Sequence, residues 1–190
     1  MRYNAEQKEQ TRQRILEAAS KSFRRHGFEG AGVDGLAKAA GVTSGAFYTH
    51  FDSKATAFQQ AIVAGLDEIR LALQQFQQQY GDNWLGEFTK FYLGEKRTCE
   101  LGQSCSLQSL TPEVGRADEA TREVFENELL KVAQTFANGL PLQGGRPDLT
   151  RSWQYLAMYI GGVTLARAVK NPDLAQQIAD AVIQAVPQKV

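Results

Sequence analysis

Residues 42–51, Val42-Thr43-Ser44-Gly45-Ala46-Phe47-Tyr48-Thr49-His50-Phe51, place three large apolar side chains among small and polar ones at a helical spacing. Val42, Phe47 and Phe51 fall on the inward side of the short helix this spacing predicts. Thr43, Ser44, Gly45, Ala46, Tyr48, Thr49 and His50 make up the rest of its surface. Hydroxyls, an imidazole and a methyl group suit contact with a groove of DNA rather than bond making. Residues 33–40 predict a second short helix just before, and Gly41 supplies the turn between the two. Two short helices joined this way form a helix-turn-helix, whose second helix lies in the major groove with its N-terminal residues near base edges.

The charge distribution agrees with such a surface. The formal net charge is zero, yet residues 1–54 hold nine Lys and Arg against six Asp and Glu, while residues 55–190 hold twelve against fifteen. The positive end is the one with the helix-turn-helix, as a phosphate-facing surface requires.

The elements that must position this surface read as helices throughout, with no period-two strand pattern. A first helix is expected over residues 6–26, with Ile15, Leu16, Ala19 and Phe23 buried and Arg12, Arg14, Lys21, Arg24 and Arg25 in solvent. Gly27 caps it and Phe28 turns back onto the core. Thr43 caps the recognition helix. Asp52 and Ser53 are cap candidates for a long unbroken helix to about Gln79, marked by Phe58, Ile62, Leu66, Ile69, Leu73 and Phe76. Further helices are expected at about 83–97, 118–138, 149–169 and 173–185, the last announced by Asn171-Pro172. Residues 98–117 read as irregular or short-helical and 139–147 as a loop. A chain of 190 residues with 43% hydrophobic content accommodates a small domain fused to a larger one. The boundary is expected near residue 53, giving a three-helix DNA-binding domain over 1–53 and a helical domain over 54–190. An unbroken helix across it could deliver a displacement from one end to the other.

The run Gly27-Phe28, then Val33, Leu36, Ala37, Ala39, Ala40, Gly41, Val42, Gly45, Phe47, Tyr48, Phe51, Ser53 and Lys54 at fixed spacing, resembles the DNA-binding domain of tetracycline-repressor-like (TetR/AcrR) transcriptional regulators. The resemblance covers about residues 8–60. A stretch from Gly102 through Cys105 to Leu110 also looks like a segment of one branch of that family. It implies an all-α fold, a homodimer on a palindromic double-stranded DNA operator, and a C-terminal domain that holds a small-molecule inducer and the dimer interface. The family pattern has Gly45 admit the DNA backbone closely and Tyr48 give its hydroxyl to a phosphate. His50 could do the same from the helix end. Ser44, Ala46 and Thr49 are the candidates for base edges, the Ala46 methyl against a thymine methyl. No Arg, Asn or Gln lies among them, so base readout is modest and helped by DNA shape and dimer spacing. Lys54 opens the long helix, where its ammonium and the helix N-terminus both suit a phosphate. Gly32 stands where the family usually carries Ser or Thr, so it keeps the cap geometry without the hydroxyl. Ala31 likewise replaces a frequent Thr, and His26 reads as a structural residue at a helix end.

In the second half, aromatic side chains at helical spacing read first as core. The resemblance makes Tyr92, Trp153 and Tyr159 the candidates for lining a ligand pocket. Ala157, Gly161, Gly162 and Ala166 form a small-residue face, suited equally to a dimer interface or a tight crossing within one chain. Cys99 and Cys105 are too few for a disulfide framework. In a helix they would be separated by a rise of about 9 Å and lie on different faces, which disfavours an internal disulfide. A thiolate at Cys99, next to Lys96 and Arg97, offers an alternative: a regulator that senses oxidants or electrophiles through Cys99 or Cys105. Two ordinary thiols remain the plainer reading.

His26 and His50 stand apart from the cysteines, so no metal site is expected. The glycines at 139–145 lack a phosphate-loop lysine, and no catalytic residue or cofactor is expected. A binding enzyme with a vestigial DNA-binding domain is the rival from another class. The first ten residues are polar and no apolar run approaches the ~20 residues of a membrane span, so a cytoplasmic protein without a membrane partner is expected.

Overall fold

The computed structural model describes residues 2–190, with side chains from residue 5. Ten α-helices account for most of the described residues: α1 Arg2–Gly30, α2 Val33–Ala39, α3 Ser44–His50, α4 Lys54–Tyr80, α5 Trp84–Leu93, α6 Glu95–Thr98, α7 Ser106–Val114, α8 Glu119–Asn138, α9 Leu149–Ala168 and α10 Pro172–Ala185. Short 3-10 turns precede α5 and α7. No strand forms among the described residues beyond a bridge between Gln143 and Arg146 in the loop before α9. The expected helix over 83–97 is split at Gly94, whose backbone leaves helical geometry at ψ −86°. Residues 106–114 close into a helix that carries Pro112.

The chain divides into two compact units. One takes residues up to Gly65 together with Leu101–Phe125; the other takes Leu66–Glu100 with Glu126–Val190. The unit with the helix-turn-helix therefore extends past residue 53, into the first turns of α4 and a returning segment that includes α7.

In the first unit Ile15, Ala19 and Phe23 of α1 are buried with Leu36, Phe47, Phe51, Phe58, Leu107 and Leu110. At Gly27 the backbone of α1 breaks to φ +70°, ψ 179°. That break turns Phe28 onto Phe23 and Phe58, with ring centroids 6.2 and 5.1 Å away. A Cβ at Gly65 would lie 2.0 Å from the Ser106 hydroxyl, so bare backbone in α4 admits the start of α7. The returning segment corrects one expectation. Arg24 is only 8% exposed, and its Nη1 donates to Ser106 Oγ at 2.9 Å instead of reaching solvent. Arg12 is also drawn in and half-buried.

In the second unit the core is aromatic. Phe88 stands among Phe76, Tyr92, Phe136 and Tyr159, at centroid distances from 5.4 to 6.4 Å. Two polar groups in this core have carbonyl partners: Trp84 Nε1 donates to Gly139 O at 2.7 Å, and the Ser152 hydroxyl donates to Ala133 O at 2.8 Å. Gly162 lets α10 approach α9, since a Cβ there would sit 2.8 Å from Val182 Cγ2.

Candidate nucleic-acid interface

The angle between α2 and α3 is set by local backbone chemistry. Gly41 N–H donates to Lys38 O at 3.1 Å and Val42 N–H to Ala37 O at 2.9 Å, with Gly41 at φ +68°. This is a Schellman ending, which uses a left-handed residue that a Cβ would strain. Thr43 Oγ1 then accepts from Ala46 N–H at 3.2 Å and caps α3. Phe47 and Phe51, 0% and 1% exposed, fasten α3 from below. Tyr48 points the other way, 54% exposed.

A cation from α1 finishes the helix. Arg12 Nη1 donates to His50 O at 3.0 Å and Nη2 to Gln60 Oε1 at 3.3 Å, with the guanidinium carbon 4.7 Å from the Phe51 ring centroid. Positive charge at a helix C-terminus satisfies a carbonyl and the helix dipole together. The residues involved are 38 apart, and no local signal announces the contact.

The expected contact residues differ in how free they are. A Cβ on Gly45 would meet nothing closer than Thr43 Oγ1 at 3.9 Å, so packing does not demand glycine there. Ser44 Oγ donates to Asp34 Oδ1 at 2.5 Å, and Thr49 Oγ1 donates to Gly45 O at 3.1 Å. Both hydroxyls thus spend their protons inside the protein and face outward as acceptors. Ala46 is half-buried and Thr49 exposed. His50 Nδ1 is buried without a hydrogen-bond partner. That burial, and then the charges of Lys8 and Arg12, hold the imidazole pKa below its ordinary 6.5, so it is neutral at pH 7.

Gly32 takes the N-cap of α2 with its carbonyl accepting from Leu36 N–H at 3.0 Å and no side-chain bond. Ser53 Oγ accepts from Thr56 N–H at 3.0 Å at the start of α4. Lys54 is folded back: its Nζ donates to Phe28 O at 3.0 Å and lies 4.1 Å over the Phe28 ring. A phosphate would have to share or displace that contact. One residue sequence reasoning passed over is Glu113 of α7. Its Oε2 accepts from Phe28 N–H at 3.1 Å and its Oε1 from Arg116 Nη2 at 2.7 Å, closing the Gly27 turn.

In the second unit, Tyr92 and Tyr159 are neighbours, with centroids 5.4 Å apart, both buried in the aromatic core. The Tyr159 hydroxyl shares a 2.6 Å hydrogen bond with Thr89 Oγ1, and burial raises its pKa far above the usual phenol value. Trp153 is 38% exposed on α9, so the three do not form one set. The small residues of α9 also divide: Gly162 and Ala166 are buried, whereas Ala157 is exposed and a Cβ on Gly161 would meet open space. Neither cysteine is in a disulfide. Cys105 is buried, and Cys99 Sγ lies 3.3 Å from Arg167 Nη2, which also donates to the Lys96 and Cys99 carbonyls. Among the described residues no group of His, Cys, Asp or Glu is gathered as a metal ion would need, and no helix is long and apolar enough to cross a membrane.

Residues 15–61 match the family model for bacterial regulatory proteins of the tetR family. Over 63 residues the chain is 41% identical to the HTH-type transcriptional regulator SrpR of Pseudomonas putida, covering 33% of this chain and 30% of SrpR. It is 39% identical over 59 residues to the HTH-type transcriptional regulator AcrR of Shigella flexneri, covering 31% and 27% of the two. The chain thus matches about a third of the length of these curated relatives. The reduced form of Escherichia coli NemR shares the fold, with a TM-score of 0.76 and 18% identity over 95% of this chain and 99% of NemR. The sequence match to tetR-family regulatory proteins is confined to the helices built above, within residues 15–61, while the likeness of fold to NemR runs the length of the chain.

Proposed function

We propose that the chain is a dimeric repressor that binds a palindromic operator in double-stranded DNA through α3 and releases it when a small-molecule inducer binds. The observation that carries this reading is the two-sided build of α3, with Phe47 and Phe51 buried and Tyr48 exposed beside the bare Cα of Gly45. On this face Thr43, Ser44, Ala46 and Thr49 meet the groove, and Tyr48, His50 and Lys54 meet phosphates. Gly32 brings the start of α2 near the backbone of the DNA. Such a repressor acts in the cytoplasm.

Two apolar rows in the second unit, exposed or half-exposed, support a dimer. Trp153, Ala157, Gly161 and Leu165 recur along α9, and Leu174, Ile178, Ala181 and Ala185 along α10. Four helices, two from each subunit, would cover both rows, and two-fold symmetry would make the operator palindromic. The inducer pocket belongs to residues 54–190. The continuity of α4 from Lys54 to Tyr80 supports a mechanical link to α3.

Tyr48→Ala tests the reading. Losing one phosphate hydrogen bond of about 1.5 kcal/mol per subunit should weaken operator binding at least tenfold, with circular dichroism and dimer mass unchanged. Unchanged affinity in a native dimer would overturn it. A second reading, sensing of oxidants or electrophiles, is favoured by the Arg167 guanidinium beside Cys99. Under that reading Cys99→Ser or Cys105→Ser abolishes peroxide-driven release from the operator. Release that persists in both variants removes it.

A further inference from the structure

The aliphatic hydroxyls of α3 and its cap have their hydrogen-bonding sense fixed from within the protein. Thr43 Oγ1 accepts from Ala46 N–H at 3.2 Å, which leaves its proton to offer. Ser44 Oγ donates to Asp34 Oδ1 at 2.5 Å and Thr49 Oγ1 to Gly45 O at 3.1 Å, which leaves each of them lone pairs alone. The Ser44 bond differs from the other two because it crosses from one helix to the next. Asp34 is exposed in the first turn of α2, where a carboxylate suits the helix dipole. The Gly41 turn and the Thr43 cap fix α3 against α2, and so hold Ser44 beside a residue ten positions earlier. As a carboxylate Asp34 can only accept, and a hydrogen bond to a charged group is roughly twice as strong as one between neutral groups. A neutral base oxygen or nitrogen therefore does not draw the Ser44 proton away.

We infer that Asp34 is a positioning residue for sequence readout: by holding the Ser44 proton it makes Ser44 a pure acceptor, directed at the amino group of an adenine or cytosine in each operator half-site. The inference rests on the reading of α3 as the helix that enters the groove. In the major groove adenine N6 and cytosine N4 donate, whereas guanine O6 and N7 and thymine O4 only accept. Ser44 meets an amino group with a lone pair strengthened by its own donation to a charge. Against guanine or thymine, oxygen would face oxygen with no proton between them, and a base acceptor stripped of water would stay unpaired. The carboxylate sets the sense of this choice. An amide at position 34 would give its own N–H to Ser44 Oγ and release the Ser44 proton towards the oxygen of a keto base. Asp34 acting through its charge alone would repel phosphates whatever the sequence, and would change affinity without changing the base preferred.

The test is in vitro selection by the full-length protein from duplexes of random sequence, followed by competition binding with variants of the selected site. The pair that faces Ser44 is the one whose preference Ser44→Ala erases. Exchanging the two bases of that pair between strands swaps amino group for oxygen and keeps the composition. In one half-site this exchange should weaken wild type about fivefold. Asp34→Asn should cut the loss to less than about twofold, whatever it does to overall affinity. Asp34→Ala, which frees the proton without offering an amide, should act in the same direction. The Asp34–Ser44 bond lies at the surface, so the variants should keep the wild-type melting temperature. An exchange loss that both Asp34 variants leave intact overturns the inference. So does a preference that survives Ser44→Ala and falls only when Asp34 is also replaced, because Asp34 would then read the base itself. Selection that enriches no sequence overturns the reading of α3 first, and the inference with it.

Discussion

Replacing Gly27 by alanine tests the turn on which Phe28 depends. At φ +70°, ψ 179° the residue occupies a region open to glycine, and an L side chain there costs about 1–3 kcal/mol. The new Cβ would also stand 3.0 Å from Glu113 Oε2 and 3.1 Å from Glu113 Cδ. That carboxylate accepts Phe28 N–H at 3.1 Å, a charged hydrogen bond worth about 1.5–3 kcal/mol. Because Glu113 is pushed at its flexible end, about half of the bond survives. The two contributions together predict a loss of about 2–4 kcal/mol. Urea unfolding followed by far-ultraviolet circular dichroism measures it, at one fixed protein concentration so that association does not move the midpoint. Glu113→Ala removes the bond and the crowding together. The double variant should therefore lose less than the sum of the two singles. A Gly27→Ala loss below about 0.5 kcal/mol, or strict additivity with Glu113→Ala, would refute the account of this turn.

Other consequences are equally open to measurement. Gly161→Leu should leave the fold intact and raise the dimer dissociation constant in analytical ultracentrifugation, whereas Gly162→Ala should cost about 1–3 kcal/mol by crowding Val182; identical behaviour of the two would contradict the division of α9 into outer and inner rows. Folding lowers the His50 pKa below 6.5, so the unfolded chain takes up its proton first. The stability His50 contributes is complete above that pH and lost as the pH falls through it towards the folded value. An imidazole titration by NMR with a midpoint above 6.5 would speak against this. Arg12→Ala should loosen the end of α3, seen as faster amide exchange at His50 and Phe51; protection at the wild-type level would show that the guanidinium is dispensable.

What the sequence makes legible here is what is decided within a few residues. Gly41 in the left-handed region, the Thr43 cap and the Phe47 and Phe51 spacing fix α2 and α3 locally, and all are present as read. Gly27 with Phe28 belongs to the same class. Contacts that join distant segments left no such trace. Arg12 and Arg24 carry the charge of solvent residues, yet their partners, His50 O and Ser106 Oγ, lie 38 and 82 positions away. Glu113 sits in a stretch with Gly102, Pro112 and Gly115 that looks irregular, and its bond to Phe28 spans 85 positions. Aromatic spacing marked Tyr92, Trp153 and Tyr159 as helical positions without giving the phase of each helix against its neighbours. Hence two lie in the core and one on the surface.

The return of residues 101–125 to the N-terminal unit bears on how the molecule is made. A ribosome releases helices α1 to α3 long before α7 exists. Until about residue 125 has emerged, Arg24 lacks Ser106 and the Gly27 turn lacks Glu113. The N-terminal unit therefore completes only after the first strip of the other unit has already been synthesised, so it folds out of chain order. For the same reason a head exchanged between relatives by a single splice near residue 53 would arrive without its own buttress. A faithful graft needs two splices, one on each side of the returning segment.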